Sequence, residues 1–152
     1  ESTTVPPTAV PSTAPAPVTT SAASTIGGAV TGLAGFDTID VVVGGETWAV
    51  AVADTPDLRA QGLMGVTDLG GLQGMLFLWE ADTAGGFWMK DTLIPLDIAF
   101  FDADGSLVDV LSMEPCVADP CPTYRPSGPY RAALEVPAGG FDGLGRIDLT
   151  LP

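Results

Sequence analysis

The chain contains no histidine, so the commonest general base of enzymes is absent, and serine or cysteine hydrolase arrangements lack their partner. What remains with chemical reach is a set of carboxylates, a lysine (Lys90), two tyrosines (Tyr124 and Tyr130) and two cysteines. An enzyme built from this set would work through carboxylates, a pair such as Asp91 and Asp97 flanking a glycosidic bond. A chain with 19 acidic residues also brings some carboxyls together by chance. Neither a glycine-rich phosphate loop nor a His-Glu-x-x-His site is present. Cys116 and Cys121, with Pro120 and Pro122 stiffening their loop, predict a disulfide in an exported chain. A redox role asks for a tighter Cys-x-x-Cys beside a base, and a thiolate metal site asks for further soft ligands; the sequence supplies neither. Asp102-Ala103-Asp104-Gly105 has the opening of a calcium loop without its later acidic ligands, so a hairpin turn is expected there.

Strands must position these groups. From Phe36 onward, period-two alternation dominates: Ile39, Val41 and Val43, then Trp48, Val50 and Val52, with Gly44-Gly45 as the hairpin turn between them. Met75–Trp79, Phe87–Lys90 and Leu96–Phe101 are apolar runs of strand length. The Asp102–Gly105 turn joins the last of these to Ser106–Met113. Ala132, Leu134 and Val136 alternate again, as do Ile147, Leu149 and Leu151. One short helix is signalled by Asp54 or Thr55 as its cap, Pro56 and Asp57 in its first turn, and Gly62 as its stop. The expected fold is mainly β, a compact antiparallel sandwich or closed barrel of about 7–8 strands with that single helix.

Part of this body is more specific. Arg59–Gly65 reads R-A-Q-G-L-M-G, Gly74–Trp79 reads G-M-L-F-L-W, Phe87–Asp102 reads F-W-M-K-D-T-L-I-P-L-D-I-A-F-F-D, and Pro115–Tyr124 reads P-C-V-A-D-P-C-P-T-Y. Over Phe36 to Pro152 the chain closely resembles the domain of unknown function 192 family. The resemblance implies a small single-domain β fold, frequently exported or lipid-anchored in bacteria, and no established reaction. Two positions depart from the family's pattern. Val66 stands where a basic residue is common, and Asp91 where Asn is usual, which counts against an anionic ligand.

The signature marks Arg59, Met64, Met75, Trp88, Met89, Lys90, Asp91, Thr92 and Asp97 as the candidate ligand-binding set. In a strand Trp88 and Met89 face opposite sides. On a structural reading, Met64 and Met75 fill core gaps, Arg59 or Lys90 pairs with Asp97, and Pro95 sets the bend into the next strand. On a binding reading, Trp88 is a stacking plate beside Lys90, Asp91 and Thr92, suited to a sugar ring. A further variant has methionine thioethers and Trp88 hold Cu(I).

Five Lys+Arg against 19 Asp+Glu give a formal charge of −14, which opposes nucleic acid and anionic lipid surfaces as partners. A salty habitat is one source of such acidity. The longest apolar run, Leu96–Phe101, is interrupted by Asp97 and far too short to span a bilayer. Residues 1–35 are nearly all Ser, Thr, Pro, Ala, Val and Gly, with Glu1 as their only charge, and predict an extended stalk of the kind left after a signal peptide is removed. Residues 36–152 then form a single domain. The expectation is a monomeric extracytoplasmic binding or cell-envelope module, with a small ligand or envelope component as partner and membrane contact only through a removed anchor. No cofactor or metal is expected. A carboxylate-dependent glycoside-acting enzyme and a Met/Trp soft-metal binder are the alternatives.

Overall fold

The computed structural model describes residues 33–152; the stalk expected over 1–35 lies, up to residue 32, outside them. Among the described residues the strands are β1 (Asp37–Val43), β2 (Glu46–Ala53), β3 (Gly74–Thr83), β4 (Phe87–Trp88), β5 (Leu96–Phe101), β6 (Leu107–Met113), β7 (Thr123–Tyr124), β8 (Tyr130–Pro137) and β9 (Leu149–Thr150), and the helix is α1 (Pro56–Gln61). Seven strands make one sheet in the order β6-β5-β8-β3-β2-β1-β9, and β4 pairs with β7 separately. The large sheet curls into a half-barrel. Its two edges meet where the Leu149 amide donates to the Gly105 carbonyl at 2.9 Å. The body is mainly β with one short helix, as the alternation implied. One pairing is of a different kind: β2 and β3 run parallel, because α1 and the loop after it carry the chain back across the sheet.

Both faces of the central strands are buried. Val41, Val50, Leu76, Leu134, Phe101 and Leu149 share one cluster; since Phe101 and Leu149 come from opposite ends of the sheet order, this is the inside of the curl. On the other face, Ala51, Met75, Phe77, Ile98, Phe100 and Ala133 pack beneath Leu63, Val66, Leu69 and Met89 from the connecting segments. Leu33 and Phe36 also belong to this second cluster.

The local signals act as their chemistry suggests. Thr55 caps α1, its Oγ1 accepting from the Leu58 amide, and Gly62 ends it at a φ of 48°. Gly44 and Gly45, both at positive φ, turn β1 into β2 in the manner two-residue hairpins require. Asp102 Oδ1 accepts from the amides of Asp104 and Ser106, so that carboxylate serves the hairpin turn. Two expected strands are shorter than their apolar runs. Phe87–Lys90 yields only the two-residue β4, because Lys90 instead bridges to Cys116. The 147–151 alternation yields only Leu149–Thr150, with Leu151 exposed.

Candidate functional site

The site begins with Glu135, in the middle of β8. It stands opposite Met75 of β3 and Ile98 of β5, both fully buried, on the face that α1 and the loops cover. Strand alternation places Ala132, Leu134 and Val136 inside the curl, which turns Glu135 to the other side with Ala133. There it is only 4% exposed. None of the ion pairs or side-chain hydrogen bonds among the described residues engages its carboxyl, and burial alone pushes its pKa from 4.5 up to about 8. A carboxyl without a cation in a low-dielectric site holds its proton.

Glu135 lines a cavity of about 310 Å³. Aromatic rings supply much of the wall. Phe77 and Phe87 meet edge to face with centroids 5.0 Å apart, and Trp79 and Tyr130 at 5.2 Å; the buried core ring of Phe100 meets Tyr130 at 4.8 Å. Edge-to-face contacts of this kind fix ring orientation. Tyr130 donates its hydroxyl to the Gly85 carbonyl at 2.7 Å, holding the Gly85-Gly86 segment against the opening, and burial raises its pKa to about 12. Arg59 comes from α1. Its Nη1 donates to the Leu78 carbonyl at 2.7 Å, and its guanidinium lies 5.0 Å from the Trp79 ring centre. Met64, Thr92 and Trp88 also line the cavity, with Gln61 and Thr83 among its other polar residues.

The signature residues therefore divide. Arg59, Met64, Trp88 and Thr92 reach the cavity. Met75 and Met89 are fully buried in the second cluster, so the thioethers do not assemble on an open surface. Trp88 is 49% exposed while Met89 is buried, the opposed facing that a strand dictates. Lys90 turns away from the cavity to Asp119 at 3.0 Å, and that hydrogen bond raises its pKa; its ammonium also lies 5.8 Å from the Trp88 ring centre. Asp91 is exposed at a φ of 55°, a conformation that Asn and Asp tolerate better than most residues. Asp97 faces the other way. It accepts from Ser112 Oγ at 2.8 Å and from the Gly139 amide at 2.9 Å, so the expected pairing of Arg59 or Lys90 with Asp97 is not formed. Asp91 and Asp97 do not flank a cleft, and Glu135 is the single carboxyl among the described residues lining the cavity.

Cys116 and Cys121 form the expected disulfide. It anchors the wall, since the Cys116 amide donates to the Met89 carbonyl and the Asp91 amide donates to the Cys116 carbonyl. Neither Glu135 nor Tyr130 belongs to the signature set, although both line the cavity. A signal for Glu135 was present. Arg131–Pro137 reads R-A-A-L-E-V-P, and Ala133 places a small apolar side chain on the face that alternation assigns to solvent. A strand apolar on both faces is buried on both, and the lone acid within it is the anomaly.

The sequence matches the family model of DUF192, described as an uncharacterized ACR, over residues 39–147. Two solved structures are similar. One, a proposed transcription regulator from Sinorhizobium meliloti 1021, shares 29% identity at a TM-score of 0.63, covering 75% of this chain and 93% of that one. The other, a protein of unknown function from Novosphingobium aromaticivorans DSM 12444, shares 30% identity at a TM-score of 0.65, covering 88% and 98%. No curated protein matches. Among the described residues no helix is long and apolar enough to cross a membrane.

Proposed function

The chain belongs to the DUF192 family, which has no established function, and on that premise we propose that it is a binding domain that holds a small ligand in the Glu135 cavity. The observation that carries this reading is a buried carboxyl with no counter-charge among the described residues, lining an aromatic-walled cavity that reaches the surface. Ionising such a group inside the fold costs stability, so its presence there calls for a use beyond packing. The cavity volume falls at the low end of the range of small-molecule sites, and aromatic rings share its lining with polar groups such as Arg59, Thr92 and Glu135. A paired-carboxylate glycosidase reading lacks support here because the lining offers only one acid among the described residues. Carrying over transcription regulation from the Sinorhizobium relative is opposed by the charge of −14, which repels a phosphate backbone.

The disulfide and the Ser/Thr/Pro/Ala-rich N-terminal stretch support an extracytoplasmic setting. The binding reading is tested by protein-observed NMR with a set of small aromatic, polyhydroxyl and amine fragments. The expected perturbations fall on the amides of Gly62, Gly85 and Gly86 and on the Trp79 indole. Perturbations confined to other parts of the surface, or none at millimolar fragment, overturn it.

A further inference from the structure

We infer that the cavity receives the ammonium group of a small organic amine, with the Glu135 carboxylate as its partner and the aromatic wall around its body. This deepens the binding reading above and rests on it. Three observations narrow the chemistry. Among the described residues the titratable groups on the lining are Arg59 from α1, Tyr130 from β8 and Glu135 itself; the facing strands β3 and β5 present Met75 and Ile98 to Glu135. Arg59, the lining's cation, is already held by the Leu78 carbonyl and the Trp79 ring. The carboxyl therefore lacks a positive partner that a ligand can bring. Phe77, Phe87 and Tyr130 add ring faces and edges beside it, and an ammonium desolvated against aromatic rings gains cation–π attraction. The overall charge of −14 also draws cations toward the surface and turns anions away.

The proton balance separates this ligand class from others. A free Glu135 holds its proton below about pH 8. When an ammonium docks, the carboxyl O–H bond breaks, the proton leaves to the buffer, and the ammonium N–H donates to the resulting carboxylate. A neutral polyol needs no such loss, and an anion requires the carboxyl to stay protonated.

The experiment is isothermal titration of the whole chain at pH 6.5, in two buffers of different ionisation enthalpy. The probes are 2-phenylethylammonium, its neutral isostere 2-phenylethanol, and phenylacetate. The expected result is amine binding about tenfold tighter than the alcohol, with close to one proton released per amine bound. The amine affinity should rise by up to about tenfold per pH unit between pH 6 and 7 and level off above pH 8. Glu135→Gln should abolish the proton release and the amine preference. Equal or tighter binding of the alcohol or of phenylacetate, amine binding without proton release, or a preference that survives Glu135→Gln overturns the amine assignment and leaves the cavity as a binding site. Should none of the three probes bind, the amine assignment falls, and the fragment experiment above decides the binding reading separately.

Discussion

Glu135 links stability to pH in a direction opposite to most surface carboxylates. Its folded-state pKa is raised to about 8 from an ordinary 4.5. Its contribution is thus fully present below pH 4.5 and is lost as pH rises through about 8, because over that window the unfolded chain gives up the proton that the folded chain keeps. Over the whole window the loss is on the order of 5 kcal/mol. Glu135→Gln keeps the shape and removes the titration. Its melting temperature should match the parent near pH 4 and exceed it by roughly ten degrees or more at pH 8, as read by calorimetry across that range. A constant difference between the two proteins would show that the carboxyl does not titrate in this window. The candidate set drawn from the signature reached the cavity at Arg59, Met64, Trp88 and Thr92 and missed its central acid. Signature residues declare themselves by type and spacing, whereas Glu135 becomes informative only once strand pairing shows that Met75 and Ile98 bury it from both sides.

Hairpins were the easiest elements to read, since a turn's chemistry is local. Gly44-Gly45 and Asp102–Gly105 are where their residue types require them. The short β4 was not readable from its apolar run, because the disulfide loop, remote in sequence, takes up the backbone of Met89 and Asp91. The seam of the half-barrel is equally non-local. Gly105 sits at a φ of 82°, and a methyl group there would strike the Leu149 carbonyl oxygen. Gly105→Ala should therefore cost roughly 2–3 kcal/mol, from left-handed strain together with the steric conflict. Urea unfolding followed by tryptophan fluorescence measures it. A loss below about 0.5 kcal/mol would mean that the edges of the sheet separate without consequence.

Electrostatics govern the body as one object. Three surface ion pairs, Lys90–Asp119, Arg131–Asp82 and Arg146–Asp148, are found among the described residues, and exposed pairs of this kind contribute little. Against them stands a surplus of acidic groups amounting to −14. Screening that self-repulsion should outweigh the weakened pairs, so the melting temperature at pH 7 should rise by a few degrees between roughly 10 mM and 500 mM sodium chloride. A fall with added salt would show that attractive pairs dominate. Charge balance is visible in composition alone, and the mainly β class in the period-two alternation of apolar residues. The curl and its edge contact depend on strand order, which no single segment encodes.

The parallel partnership of β2 and β3 bears on how the molecule assembles. Antiparallel neighbours can zip outward from a tight turn, but β2 and β3 cannot join until α1 and the segment through residue 73 have closed the gap between them, a loop closure that slows folding. That same segment carries Arg59 and Met64 to the cavity. The cavity and the union of the sheet's two halves are consequently completed together, since the Glu135 pocket gains its Arg59 and Met64 wall only as the scaffold is joined.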